Sequence, residues 1–268
     1  MPENASNQAP RTSIAARLYR GIRVAIALPL LVVYALSSEK KIISLDCEGW
    51  MDLLQLRQRS PIGNLLFLLG NYKEFRNLFY YRVWRGNLVA AAASLVLKAF
   101  FKSESTLYLR SPNIGPGFFI QHGYATSVGA YSVGKNCSVN QLVVIGWTDR
   151  TRGPILGDNV SVKAGAKILG PITIGNNVTV GANAVVTKDV PANCVVAGVP
   201  ARIIRRNGAR VNEPLPSRVK GEESFSLSLL SLNEKVQSDS TALDFDPAFS
   251  SGSSFDGIPE ARRAGNAV

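Results

Sequence analysis

The sequence predicts a mainly β protein, a parallel β-helix of hexapeptide repeats preceded by a helical N-terminal region. Three observations carry that reading. Aliphatic residues recur every six positions, without a break, at Leu156, Val162, Ile168, Ile174, Val180 and Val186. Glycine follows three of them (Gly157, Gly175, Gly181), and Asn159, Asn177 and Asn183 sit where corner residues are expected. Ahead of the repeat, between Trp50 and Gly86, apolar residues step by threes and fours: Leu53, Leu54, Leu65, Leu66, Leu68, Leu69, Phe75, Leu78 and Phe79. The first two patterns mark a solenoid of short strands and tight turns; the third marks amphipathic helices.

The physics of the repeat is simple. Each hexapeptide supplies one short strand and one turn, with its aliphatic side chain pointing inward. Three hexapeptides close one triangular coil, and no coil can bury its core alone, so neighbours must stack. Gly and Asn tolerate the positive φ that corners require. The same spacing holds upstream for Val133, Val139 and Ile145, and again for Ile114 and Ile120. It breaks twice. Eleven residues separate Ile145 from Leu156, placing a loop at about 147–154, and thirteen separate Ile120 from Val133.

Four segments follow from this pattern. Residues 1–45 hold a basic stretch (Arg11, Arg17, Arg20, Arg23) and then an apolar run of 13 residues, 24–36, interrupted by Pro29. A span needs about 20 apolar residues, so a buried or membrane-surface helix, an anchor and a signal peptide all stay open. Residues 46–105 are expected to be helical. Ser60-Pro61 is suited to start a helix, Gly70-Asn71 to interrupt one, and Leu88–Phe101 forms another. That region packs on itself or a partner subunit, or docks on a membrane surface. Residues 106–206 form the β-helix. Residues 207–268, rich in Ser, Gly, Pro and Asp, are expected to be a disordered tail, with Phe225–Leu232 as a candidate strand.

Composition narrows the chemistry. The 268 residues carry a formal charge of +11, yet residues 207–268 hold six Lys/Arg against nine Asp/Glu, so the body is strongly basic and suits an anionic partner. Three cysteines without a CxxC pair argue against a disulfide scaffold or a thiolate zinc site. The one histidine, His122, excludes any site needing two or three imidazole ligands, including a zinc hydratase on a β-helix. Aromatic residues are not interleaved with the arginines in a nucleic-acid-binding motif.

The stretches IGPGFFIQHG (114–123), AGAKILGPITIG (164–175), VGANAVVTKDVP (180–191) and AGVPARIIRR (197–206), with NYKEFRNLFYYR (71–82) before them, resemble the left-handed β-helix acyltransferases of the hexapeptide family. Within that family the serine acetyltransferase-like branch, including its members from polysaccharide clusters, is the most similar. The resemblance implies an acetyl-coenzyme A-dependent acyltransferase without metal, assembled as a homotrimer with its active sites between adjacent helices. His122 matches the general base that takes the acceptor hydroxyl's proton, a task suited to an imidazole near neutral pH. Ala164, Gly165 and Ala182 match small residues lining the pantetheine groove, with Thr187 beside them. Lys188, Arg202 and Arg205 match cations that meet the coenzyme phosphates.

Three departures bear on the acceptor. The branch has an Asp immediately before the catalytic histidine, a second histidine before the loop proline and an upstream Asp that orients the imidazole; this chain has Gln121, Gly153 and about Leu107 there. Gln121 lacks the charge a zwitterionic amino acid's ammonium calls for. The expected reaction is therefore O-acetylation of a sugar hydroxyl in polysaccharide biosynthesis, with serine O-acetylation of cysteine biosynthesis as the alternative and a non-catalytic β-helix as the third reading. Gln121, Asn140, Trp147, Asp149 and Arg150 are the candidate acceptor contacts, and Asn140, Gln141 or a backbone carbonyl the candidate orienting partner of His122. Coenzyme use and unpaired cysteines place the protein in the cytoplasm, with peripheral association at the membrane.

Overall fold

The computed structural model describes residues 14–56, 60–148 and 153–216. Six helices come first: α1 (Ile14–Ile26), α2 (Leu30–Leu36), α3 (Lys40–Leu53), α4 (Pro61–Asn71), α5 (Lys73–Arg85) and α6 (Leu88–Lys98). The apolar run 24–36 is two helices meeting at 47°. Pro29 lacks an N–H, and its ring clashes with the preceding turn, so one continuous helix cannot form. Ser60 Oγ accepts from the Gly63 amide and Asn87 Oδ1 from the Ala90 amide, capping α4 and α6. The boundary expected at 45/46 falls inside α3, because the extended Ser37, not residue 45, ends the preceding helix.

Behind the helices the chain winds as a parallel β-helix with three faces, and its coils belong to the left-handed class that the repeat implies. The first face stacks Leu107–Leu109, Thr126–Val128, Val144–Gly146, Lys167–Leu169 and Val185–Val186. The second stacks Asn113–Ile114, Ser132–Val133, Ile155–Leu156 and Thr173–Ile174. The third stacks Phe119–Ile120, Ser138–Val139, Ser161–Val162, Thr179–Val180 and Cys194–Ala197. All eleven aliphatic positions of the repeat point inward and are at most 4% exposed, each worth about 1.5–3 kcal/mol of burial. Between the second and third faces, Asn136, Asn159, Asn177 and Asn193 hold φ of 54–58°. Their side chains form a ladder, Asn159 donating to Asn177 and Asn177 to Asn193 at 2.9 Å.

Both irregular gaps have a structural origin. The eleven-residue gap is the loop leaving Val144–Gly146. The thirteen-residue gap contains an inward residue that the periodicity missed, the fully buried Val128. It lies eight residues after Ile120 and five before Val133, so the first coil is two residues long at one corner and one short at the next. After the last coil the chain turns back as an antiparallel hairpin, Arg202–Arg206 and Ala209–Pro214, on the strand Cys194–Ala197. Ordered structure thus passes residue 206, where a disordered tail was expected to begin. The strand expected at Phe225–Leu232 lies outside the described residues.

A buried ion pair ties the helices to the first coil. Arg82 of α5 donates to both oxygens of Asp46 of α3, at 2.8 and 3.2 Å, and to the Ile114 and Gly115 carbonyls. Asp46 Oδ1 also accepts the Gly117 amide at 2.7 Å. Burial pushes the Asp46 carboxyl up, against the downward pull of Arg82 and the Gly117 and Phe118 amides. Trp50 completes the contact by donating to the Phe118 carbonyl at 2.8 Å, its ring edge-on to Phe75 and Phe119. Asp46→Ala leaves the Arg82 guanidinium buried without its partner. The expected loss is about 3–5 kcal/mol of stability in urea unfolding, well beyond that of an exposed substitution such as Glu48→Ala.

Candidate functional site

His122 stands at the corner between the third and first faces, in the extra length of the first coil. Hydrogen bonds across the coils define what stacks there. The Leu142 amide donates to the Tyr124 carbonyl, Gly165 to Gln141 and Asn183 to Ala164. One column is therefore Tyr124, Gln141, Ala164 and Ala182. The column before it is Gln121, Asn140, Lys163 and Gly181, from the register of the third face. His122 and Gly123 have no counterparts in the later coils; they are the two inserted residues. The insertion puts His122 at φ +52°, with its side chain exposed beside the column that runs from Tyr124 to Ala182.

Gly123 is buried behind it, and the space is tight. A Cβ there would lie 2.7 Å from Ile120 Cγ2, 2.9 Å from Leu107 Cδ2 and 3.3 Å from Glu74 Cγ. Buried Leu107 is thus a packing residue under the corner. Glu74 belongs to α5, whose Asn77, one turn on, donates to the Glu104 and Leu107 carbonyls and accepts the Glu104 amide. The side-chain methylene of half-buried Glu74 therefore lies against the residue after His122. Glu104 lies nearby, its Oε1 accepting from Thr106, whose Oγ1 accepts the Ala125 amide at 2.9 Å.

The structure brings some of the expected residues together and separates others. Ala164, Gly165 and Ala182 share the His122 corner, with Gln121 and Asn140 tied to each other at 3.1 Å. Gln141 Oε1 is buried without a hydrogen-bond partner. Thr187, Lys188 and Trp147 lie at the far end of the first face. Trp147 donates to the Gly129 carbonyl at 2.8 Å. Its indole covers Gly153, where a Cβ would come within 2.4 Å of Nε1, so the family's second histidine has no room. Arg202 is close to the His122 side, pairing with Ala197 and donating to Asn212. Arg205 is not: the hairpin strand runs back across the third face, so Arg205 pairs with Val195 and lines a depression with Asn177, Asn193 and Asn207. Asp149 and Arg150 lie outside the described residues.

Two cations at this corner escaped the sequence reading. Lys163 and Lys167 are exposed on either side of Ala164-Gly165-Ala166, and Lys167 Nζ donates to the Gly165 carbonyl at 3.0 Å. A lysine flanking each side of the small corner residues was the available signal. The corner so assembled has an exposed imidazole, the small residues Ala164, Gly165 and Ala182 on the coils above it, and two exposed lysines.

Residues 153–188 match the family model described as bacterial transferase hexapeptide (six repeats). The chain is 41% identical over 164 residues to the serine acetyltransferase of Staphylococcus aureus (strain Mu50), which covers 60% of this chain and 76% of that protein. The chain belongs to the serine acetyltransferase family. It is also 42% identical over 121 residues to the serine acetyltransferase of Synechococcus elongatus, spanning half of that protein's length. The fold is shared with a Neisseria gonorrhoeae serine acetyltransferase crystallised with serine, at a TM-score of 0.50 and 23% identity over 74% of this chain and 78% of that one.

Family membership makes this chain an acyltransferase. It also corrects the acceptor: relatives at 41–42% identity are serine acetyltransferases, so the sugar hydroxyl inferred from Gln121, Gly153 and Leu107 gives way to the alternative. That inference looked for the acidic group beside His122 in the chain. Glu74, packed against Gly123, and Glu104, bonded to Thr106, are the acidic residues of the elements beneath this corner. Because the corner tolerates no Cβ at residue 123, Gly123→Ala is expected to cost about 1–3 kcal/mol by overpacking. Thermal unfolding of the variant beside Gly146→Ala, where the added Cβ meets nothing within 4 Å, measures that difference.

Proposed function

We propose that the chain is an acetyl-coenzyme A-dependent serine O-acetyltransferase with His122 as its general base. The similarity to the Staphylococcus aureus enzyme, 41% over 164 residues that include this corner, carries the acceptor assignment. As the serine hydroxyl oxygen attacks the thioester carbonyl carbon, His122 takes the hydroxyl proton. The tetrahedral adduct then collapses, the carbon–sulfur bond breaks, and the imidazolium returns the proton to the departing thiolate. Base catalysis of this kind contributes about 10²–10⁴-fold; the remainder comes from holding both substrates in register.

The surrounding residues divide the binding task. Ala164 and Ala182 leave the pantetheine arm room beside the column, and Lys163, Lys167 and Arg202 meet phosphate oxygens. Glu74 supplies the charge that Gln121 lacks and attracts the serine ammonium. Trp147, Thr187 and Lys188, at the other end of the first face, reach a His122 corner only if a second copy brings them there. That placement supports a homotrimer with shared sites, working in the cytoplasm where the coenzyme is found.

The test is thiol release from acetyl-coenzyme A by the purified full-length chain with L-serine, with O-acetylserine identified by mass spectrometry. Burial pushes Cys47 and Cys137 up to about 12 and also raises Cys194, so a thiol reagent at pH 8 reads the released coenzyme without labelling the native protein. His122→Ala is expected to lose about 10²–10⁴-fold in kcat. Glu74→Gln is expected to raise the KM for serine about tenfold, as loss of one charge-assisted contact would, with the KM for acetyl-coenzyme A unchanged. Wild-type protein that binds the coenzyme but makes no O-acetylserine would overturn the proposal.

A further inference from the structure

The helical region carries apolar side chains that the other described residues leave uncovered. On α1, Ile14, Leu18, Ile22 and Ile26 recur every four residues, and each is at least half exposed. The opposite side of α1 is committed to the protein: at Gly70 of α4 a Cβ would lie 2.8 Å from the Arg23 carbonyl. Across the bend α2 exposes Val32 and Leu36, while Leu30 and Val33 are buried. Asn87 donates to the Leu36 carbonyl at 2.7 Å, joining the end of α2 to the start of α6. There Leu88, Val89, Leu95 and Val96 are 60–68% exposed. An exposed apolar surface drawn from three packed helices is unusual for an isolated soluble protein and marks an interaction site.

Charge selects the occupant. Residues 14–102 hold thirteen Lys/Arg against five Asp/Glu, a net of +8. Arg20 of α1, Lys98 of α6, Lys40 and Lys41 at the start of α3 and Lys102 just after α6 are exposed, and among the described residues none lies within ion-pair distance of a carboxylate. A second copy meeting this face about a two-fold axis would set one cationic surface against another. The polar residues 1–13, with Met1 as their one large apolar side chain, have little to bury there. An anionic bilayer takes both features at once, the apolar side chains entering the acyl boundary and the cations meeting lipid phosphates.

We infer that α1, α2 and α6 dock this protein on the surface of an anionic phospholipid bilayer. The contact is interfacial. No single helix among the described residues is long and apolar enough to cross a membrane, and the bent pair that might cross by length and composition has α1 packed on α4. The inference is independent of the acyl acceptor, since none of these residues belongs to the His122 corner.

The experiment is cosedimentation of the full-length chain with phosphatidylcholine vesicles, with and without 30% phosphatidylglycerol, at about 0.1 M and 0.5 M salt. Binding is expected with the anionic vesicles, weakening at high salt as screening shortens the reach of the lysines. Ile22→Asp and Val96→Asp should each reduce partitioning at least tenfold while leaving the melting temperature and thiol release intact. Light scattering of the same samples reads the oligomeric state. Absence of wild-type binding to either vesicle would overturn the inference. Dissociation of the oligomer by Ile22→Asp, without vesicle binding by the wild type, would assign the face to a second copy instead.

Discussion

The Asp46–Arg82 pair sets the position of everything at the His122 corner. A β-helix coil satisfies its neighbour's backbone groups, but its first coil has an open underside. Here Arg82 takes the Ile114 and Gly115 carbonyls, and Asp46 takes the Gly117 amide. Those atoms belong to the segment that leads into Phe119–Ile120 and His122. The clamp therefore does two things with one pair of charges. It closes the end of the solenoid, and it fixes α5 so that Glu74 lies against Gly123. A buried pair is seldom favourable on net once desolvation is counted. What this one contributes is registration of the helical region on the coil that carries the imidazole.

The exposed imidazole depends on a departure from the repeat. Regular coils present Gln141, Ala164 and Ala182 at this corner, close to the solenoid wall. Two inserted residues in the first coil swing His122 out at a positive φ and bury Gly123 behind it. A histidine confined to the regular column would lie under the next coil with its ring nitrogens partly covered. The groove beside it is the ordinary wall of the later coils, narrowed to alanine. Irregularity thus places the imidazole, while regularity shapes the wall beside it.

The solenoid was legible because its period is short and each repeat buries one aliphatic side chain in a fixed place. Asn159, Asn177 and Asn183 were readable as corners for the same reason, since few residues tolerate φ near 57°. Val128 was not, because the first coil breaks the period on both sides of it. Pro29 marked a discontinuity in the apolar run but did not reveal that α1 and α2 diverge by 47°. Lys163 and Lys167 looked like ordinary surface charges until stacking put them beside Ala164 and Ala182. Arg202 and Arg205, three apart in sequence, looked like a pair. The hairpin sends them to opposite ends of the third face, because antiparallel pairing unrolls sequence into distance along the strand.

The acceptor was misjudged for a related reason. Gln121 was weighed as the loss of a charge, and for the position next to His122 it is: its Oε1 is occupied by Asn140. A binding site, however, is a set of positions in space, and this one is bounded by two parts of the chain folded against each other. Asn140 and Lys163 stack on the position before His122, and Glu74 of α5 packs against the position after it. Glu74 is held against that position by the packing of Gly123 and Leu107 and by the hydrogen bonds of Asn77, one turn along α5. The Gly153 departure has a local cause as well. Trp147 fills the volume a side chain at 153 would need. A position that looks bare in a linear reading is, in the folded chain, bordered by residues from other elements.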